Sequence, residues 1–120
     1  MNVEELREFA LSLARVDESF PFGENNLVFK TNSKMFLLIS LTSTPVSFNV
    51  KCDPEYAIEL REEHPGILPG YHMNKKHWNT IIADGSLNDT QLKQFIKDSY
   101  SLVEKKEKKQ PIPEKKKSKY

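Results

Sequence analysis

A short segment rich in polar and basic side chains is the strongest candidate for a functional surface. It follows the backbone-constrained stretch 66–70, and its possible donors, cations and single large aromatic ring are His72, Asn74, Lys75, Lys76, His77, Trp78 and Asn79. Adjacent lysines can neutralise phosphates, asparagines can hydrogen-bond to phosphates or base edges, and an exposed tryptophan can stack on an unpaired base. The segment therefore predicts a nucleic-acid contact site on a constrained loop.

Two of these features also have a purely structural interpretation. Trp78 alternates with Thr80 and Ile82 along a predicted strand, and this spacing would equally let its ring fill the core. Lys75 and Lys76 fit solvated surface positions as well as phosphate contacts. Both interpretations remain open at this point.

Further lysines lie on or beside the first predicted strands, at Lys30, Lys34 and Lys51. Lys34 falls in a hairpin turn, where the tip of a DNA-binding wing would be. Lysines at turns and strand edges also protect a sheet against edge-to-edge pairing. We retain Lys30 and Lys34 as candidate nucleic-acid contacts beside that alternative.

Metal binding has weak support. His72 and His77 are five residues apart, which puts them on opposite faces of a strand, and with Cys52 they lack zinc-site spacing. The carboxylates predicted for the first helix are interrupted by Arg7 and Arg15, a pattern that favours a solvated helix face over an iron-binding ridge. We expect neither a metal nor a cofactor.

Catalysis has weak support too. The chain has no G-x-S-x-G, Gly-rich phosphate loop or C-x-x-C, which are the motifs that would place a nucleophile or a phosphate. Cys52, the single cysteine, follows the inward Val50 at strand spacing, which predicts a buried, unreactive thiol. We expect a protein that is not an enzyme.

Charge is distributed unevenly along the 120 residues. Residues 1–102 contain ten Lys/Arg and fourteen Asp/Glu, a net −4, whereas residues 103–120 contain eight Lys and three Glu, a net +5. This balance argues against nucleic-acid binding by overall charge but allows a local basic patch. One cysteine, no secretory signal and no membrane-length apolar run predict a cytoplasmic protein without a membrane partner. We also expect a monomer.

Periodicity and turn residues predict three helices and five strands. Capping boxes at Asn2 and Asn88 and the pair Asp53-Pro54 mark the helix starts. The predicted helices cover residues 3–16, 54–64 and 88–104, and the predicted strands cover 27–30, 35–41, 46–51, 67–73 and 77–83. Phe20 and Phe22, on either side of Pro21, are expected to pin the first connection to the core.

The resulting order, α-β-β-β-α-β-β-α, predicts a two-layer α+β domain with an antiparallel sheet of about five strands and helices on one face. The domain should cover residues 1–104. Residues 105–120 are rich in lysine, contain Pro111 and Pro113, and lack an apolar period, so we expect a disordered basic tail.

Several short motifs resemble the MmcQ/YjbR family in order and spacing over roughly residues 1–104. They are F-P-F-G at 20–23, K-M-F at 34–36, K-C-D-P-E at 51–55, P-G-Y-H-M-N-K-K-H-W-N-T at 69–80 and S-Y-x-L-V at 99–103. The resemblance implies a CyaY-like fold, related in shape to frataxin and to type III secretion chaperones, and DNA binding through a double wing of β-hairpins.

Taken with the residues, this resemblance favours weak DNA binding. Phosphates would be contacted by Lys75, Lys76 and the wing lysines, with help from His72, His77 and Asn74. The alternative is a protein-interaction module that resembles secretion chaperones and has no nucleic-acid role. DNA and a protein are thus the two candidate partners.

Overall fold

The computed structural model describes residues 1–70 and 73–108, with side chains through residue 104. The helices are α1 (Val3–Leu11), α2 (Pro54–Glu63) and α3 (Asp89–Lys108); the strands are β1 (Val16–Ser19), β2 (Asn26–Thr31), β3 (Lys34–Ser40), β4 (Val46–Lys51), β5 (Ile67–Pro69) and β6 (Trp78–Ala83). None of the helices in these ranges is long and apolar enough to cross a membrane.

The strands form one antiparallel sheet in the order β1-β2-β3-β4-β6-β5. The two-layer α+β prediction is confirmed, with six strands in place of about five. A two-residue turn joins β2 to β3, and its residues Asn32 and Ser33 both have positive φ, at 53° and 66°. Such turns match the twist of paired strands, and the turn predicted at this position is confirmed.

The sixth strand, β1, replaces the end of the predicted first helix. α1 stops at Leu11 with Ser12 as its C-cap, and Arg15 then adopts a φ of +59°. Asp17 and Glu18, which follow the predicted helix, lie on β1, where they pair with Lys30 and Phe29 of β2. The strand was missed because its sequence, V-D-E-S, carries no apolar alternation.

Local capping signals correctly predicted the start of each helix. Asn2 forms a complete capping box with Glu5, and Asn88 forms one with Gln91 through backbone–side-chain hydrogen bonds of 2.9 and 2.8 Å. Asp53 caps α2 ahead of Pro54. α3 continues to Lys108, four residues past the predicted domain boundary, and the remainder of the predicted tail, 109–120, lies outside the described residues.

One face of the sheet carries the main core. Val46, Phe48 and Val50 point toward this side as predicted, and they pack in a cluster that includes Leu6 of α1 and Ile96 of α3. The other side, which we call the open face, is the one to which Ser47 and Asn49 alternate. No described helix covers the open face, so a concave surface remains between the loops that flank it.

The expectation for the Phe20-Pro21-Phe22 connection is wrong. Phe20 is 52% exposed and Phe22 is 61% exposed. Because β1 pairs with β2 at the edge of the sheet, the loop between them extends past the core. Phe22 instead forms part of the wall of the open face.

Candidate nucleic-acid interface

Strand register brings the candidate lysines of separate segments to one end of the sheet. Lys34 pairs with Thr31 at the β2–β3 hairpin, and Lys30 pairs with Met35 next to it. Lys51, the last residue of β4, pairs with Trp78, the first residue of β6. The loop that carries Lys75 and Lys76 leads directly into Trp78. We call the surface formed by these five lysines the basic end: Lys30, Lys34, Lys51, Lys75 and Lys76.

The loop before β6 is a hydrogen-bonded turn built around Asn74. Its carbonyl accepts from the N–H groups of His77 and Trp78, both at 3.0 Å, and its Oδ1 accepts from the N–H of Lys76 at 3.0 Å. This is the way an asparagine side chain commonly stabilises a turn. Lys75 and Lys76 are exposed on it, whereas His72 lies outside the described residues.

Arg61 of α2 ties this turn to the helical layer. Its guanidinium donates to the backbone carbonyl of Lys75 at 2.9 Å and to Oδ1 of Asn79 at 2.8 Å. Arg61 was not predicted as a site residue from the sequence. A basic side chain in the last turn of a helix is already accounted for by its favourable interaction with the helix dipole, so nothing else in the local sequence marked it.

Trp78 is unavailable for stacking on a base, because it is only 8% exposed. It is buried, as the structural interpretation allowed, but on the open face rather than in the helix-side cluster. Gly70 lies against it and donates its N–H to the Trp78 carbonyl at 2.8 Å. A Cβ added at Gly70 would come within 2.7 Å of the Trp78 Cβ.

Asn79 is likewise unavailable to a base edge. It is fully buried on the helix-facing side of β6. Its Oδ1 accepts from Arg61, and its amide donates to the carbonyl of Ala57 at 3.4 Å. Asn79 therefore joins β6 to α2, and the predicted base contact at this position is wrong.

The polar surroundings of the basic end are not uniformly positive. Register places the carboxylate of Asp17 beside Lys30. Glu18, its neighbour on β1, accepts from Arg7 of α1 at 2.7 and 2.5 Å, and this hydrogen bond holds the pKa of Glu18 below its usual range. Lys34, Lys75 and Lys76 are exposed beyond these carboxylates.

The structure brings Cys52 and His77 together, but without the features of a reactive pair. The Cys52 N–H donates to the His77 carbonyl at 2.8 Å. Burial, followed by the charges of Asp53 and Asp98, raises the pKa of the Cys52 thiol to about 11. A protonated thiol is a weak nucleophile. Within residues 1–70 and 73–108, no three His, Cys, Asp or Glu side chains form a cluster that could hold a metal ion.

The open face contains a cleft that the sequence argument did not predict. It has a volume of about 900 Å³ and is lined by strand and loop residues: Phe22, Asn26, Met35, Leu38, Ser40, Ser43, Ser47, Asn49, Leu68, Pro69, Met73 and Thr80. The alternation of β4 predicted that Asn49 points away from the core, yet Asn49 is only 8% exposed. The flanking loops shield it, and alternation alone carries no information about such loops.

Fold and site together define a small α+β domain with one helix-covered sheet face, one open sheet face and a lysine-bearing end. The chain belongs to the YjbR family, whose model matches residues 11–102. Among its relatives, YbdF of Escherichia coli O157:H7, an uncharacterized protein, is 37% identical over 100 residues, which are 83% of this chain and 82% of YbdF. YjbR of Escherichia coli K12, also uncharacterized, is 28% identical over 83% of this chain and 85% of its own.

Solved structures share the fold. The DUF419 domain protein DR2400 of Deinococcus radiodurans superposes with a TM-score of 0.84 at 41% identity, over 88% of this chain and 80% of that one. A protein from Pseudomonas syringae superposes with a TM-score of 0.74 at 27% identity, over 86% and 99% of the two chains.

Proposed function

We propose that this protein is a non-catalytic DNA-binding module that contacts duplex phosphates through the basic end. The observation that carries the proposal is the strand register, which gathers lysines from the β2–β3 hairpin, the end of β4 and the loop before β6. Three strand spacings separate β2 from β6, so the lysines extend over roughly 14 Å. This is comparable to the roughly 12 Å width of a major groove.

The geometry favours contacts to the backbone of DNA over readout of bases. Trp78 and Asn79, the side chains best suited to stacking and base recognition, are buried. The oxygen of Asn74 is used within its own turn. The most exposed charged donors are the ammonium groups of Lys34, Lys75 and Lys76, which position a protein on phosphates but carry little sequence information. We therefore expect binding that is weak, insensitive to sequence and no stronger for single strands than for duplex DNA.

Arg61 supports the proposal by ordering the loop. Because its guanidinium bonds the Lys75 carbonyl, the two exposed lysines stand on a backbone that is already fixed before a ligand arrives. Less conformational entropy is then lost on binding.

A fluorescence-anisotropy titration with a labelled 20-base-pair duplex and its single strand, at two salt concentrations, tests the proposal. Replacing Lys75 and Lys76 by Ala removes two of the proposed contacts. The slope of log affinity against log salt should fall by up to about 1.8, because each lost phosphate contact contributes about 0.9.

The matched control is the pair Lys93→Ala and Lys97→Ala, which removes the same charge from exposed positions on α3. This control should leave the slope within about 0.5 of the parent value. Equal losses from both pairs would show that net charge rather than the basic end governs binding. Absence of binding at low salt would also overturn the proposal.

The alternative, a protein-interaction module, is favoured by a different observation, the open cleft with exposed Phe22 and Leu68 in its lining. An apolar interface would be far less sensitive to salt than phosphate contacts. A partner that binds with an affinity nearly constant between the two salt concentrations, and independently of Lys75 and Lys76, would support this alternative.

A further inference from the structure

The cleft on the open face is a walled basin rather than a flat sheet surface. Register aligns one residue from each of four neighbouring strands across its floor: Leu38, Asn49, Thr80 and Leu68. Phe22 forms the wall on the β1–β2 side, and Pro69 and Met73 form the wall beside β5. A volume of about 900 Å³ lies within the range of cavities that hold a drug-sized molecule.

The lining contains no charged side chain among the described residues. Its walls are apolar, with one aromatic ring and two flexible thioethers, and its floor carries hydroxyl and amide groups. Moving a phosphate or carboxylate from water into such surroundings, without a cation to pair with it, is costly. The described part of the lining therefore offers no cation that could pair with an anion, such as the phosphates proposed to bind at the basic end.

Asn49 supplies a donor that the fold leaves unused. The residue is 8% exposed and lines the cleft, and its Oδ1 accepts from the hydroxyl of Thr80 at 2.5 Å. Its NH₂ group has no hydrogen-bond partner among the residues described. Among the described residues, Thr31 Oγ1 is the one fully buried polar side-chain atom without a partner, so the Asn49 NH₂ group still reaches solvent in the cleft. An acceptor that enters the cleft can therefore take the place of water at this donor.

The neighbouring serines are partly engaged with each other. Ser43 and Ser47 pair through their hydroxyl groups at 2.9 Å, which uses one of their two hydroxyl hydrogens. The amide donor of Asn49 thus lies between apolar walls and a polar rim, and ligand sites commonly combine an apolar shape with a few orienting polar groups in this way.

We propose that the open-face cleft binds an uncharged, mostly apolar organic molecule whose carbonyl oxygen accepts a hydrogen bond from the Asn49 amide. The apolar body would contact Phe22, Met35 and Leu68, where exposed ring and aliphatic surface would leave water. Binding here is independent of the proposed DNA contacts, because none of the five lysines of the basic end lines the cleft.

Three matched probes test the proposal in two-dimensional ¹H–¹⁵N NMR titrations of the full chain. Acetophenone is uncharged and has a carbonyl, ethylbenzene has nearly the same shape without it, and benzoate carries a charge. We expect acetophenone to shift the amides of Ser40, Ser47, Asn49 and Thr80, and to bind about three- to tenfold more tightly than ethylbenzene, the range for one neutral hydrogen bond. Benzoate should not shift these amides.

Asn49→Leu keeps the approximate volume but removes the donor, so acetophenone and ethylbenzene should then bind within about twofold of each other. Ser40→Phe fills the cleft and should abolish binding of both probes, and Ser101→Phe, at an exposed position on α3, is its matched control and should change nothing.

Four results would overturn the proposal. In the first, the shifted amides cluster away from the cleft; in the second, benzoate binds as tightly as acetophenone. In the third, Asn49→Leu still binds acetophenone more tightly than ethylbenzene, and in the fourth, Ser40→Phe leaves the binding of both probes unchanged. If Asn49→Leu does not fold, the probe series on the parent chain and the Ser40→Phe result still decide the matter.

Discussion

The contact between Gly70 and Trp78 shows how a residue without a side chain can let the backbone pack closely against a large aromatic residue. The Gly70 N–H reaches the Trp78 carbonyl because no Cβ separates the two backbones. Strand alternation places the Trp78 ring on the open face, where it is nearly buried and outside the helix-side core. The aromatic residue that follows the basic loop is thus used for packing rather than for stacking on a base.

Gly70→Ala should destabilise the fold by about 1–3 kcal/mol, the usual cost of forcing an extra methyl group into packed surroundings. Its Cβ would lie 2.9 Å from the Trp78 carbonyl oxygen, which cannot move without breaking strand pairing. Gly66→Ala is the control, since the nearest atom there is the Ser86 hydroxyl at 3.1 Å, which can rotate. Urea unfolding followed by tryptophan fluorescence measures both, and equal losses would contradict the argument.

Cys52 should react slowly with alkylating agents near neutral pH. Its pKa of about 11 reflects burial first and nearby carboxylates second, and a raised pKa keeps the thiol protonated. Only about one thiol in a thousand would be ionised at pH 8, against about one in four for a free cysteine with a pKa near 8.5.

Iodoacetamide labelling measured from pH 7 to 10 should therefore keep accelerating without a plateau. Asp98→Asn should raise the rate at a given pH because it removes a charge that disfavours the thiolate, whereas Asp89→Asn, in the first turn of α3, should not. A plateau in the labelling rate below pH 9 would show that the pKa of the Cys52 thiol is not raised.

At the scale of elements, Arg61 links α2, β6 and the loop between β5 and β6. One guanidinium bonds a loop carbonyl and a buried side-chain oxygen at the same time. Planar guanidinium groups suit such forked contacts better than ammonium groups do. The loop that presents Lys75 and Lys76 therefore depends on a helix that lies before it in the chain.

Arg61→Ala should cost about 1–3 kcal/mol, because it leaves the buried Asn79 oxygen without its charged donor. Amide hydrogen exchange at Lys76 and His77 should also speed up as the turn loosens. Arg61→Lys keeps the charge but not the fork and should show most of the same acceleration. If Arg61→Lys behaves like the parent chain, the loop is held by charge alone and not by the paired hydrogen bonds.

Elements with local signals were predictable from sequence, and those defined by distant pairing were not. The capped starts of α1, α2 and α3 follow from residues three positions apart, so they could be predicted without knowing the fold. β1 could not, because V-D-E-S has no apolar period and becomes a strand only by pairing with β2. Its absence from the prediction also left α1 five residues too long.

The candidate site was predictable to a similar degree. The exposed turn with Lys75 and Lys76 was predicted correctly from polar residues beside a constrained stretch. The burial of Asn79 was not, because its partners Arg61 and Ala57 are 18 and 22 residues away in sequence. The cleft was missed for a related reason: alternation assigns residues to two faces but carries no information about the loops that wall the open face.

At the scale of the whole molecule, charge is divided unevenly between residues 1–108 and residues 109–120. Residues 1–108 contain thirteen Lys/Arg and sixteen Asp/Glu, a net −3, whereas residues 109–120 contain five Lys and one Glu, a net +4. A positively charged segment can bind polyanions through counterion release without any defined geometry. If the protein binds DNA as proposed, the basic end and residues 109–120 are two separate candidate sources of the affinity, and they have to be distinguished.

Deleting residues 109–120 should distinguish them. The segment contains one aliphatic side chain, Ile112, and one aromatic, Tyr120, too little apolar surface to stabilise the domain by burial. The melting temperature should therefore change by less than about 3 °C, equivalent to roughly 0.5 kcal/mol.

In the same anisotropy titration the salt slope should fall by up to about 4.5 for the five lysines. The truncated chain should nevertheless still bind duplex DNA at low salt, and Lys75→Ala with Lys76→Ala should weaken that remaining binding further. Loss of all binding on truncation would assign the affinity to residues 109–120 and remove the basic end from consideration. A larger drop in melting temperature would instead show that the segment contacts the folded domain.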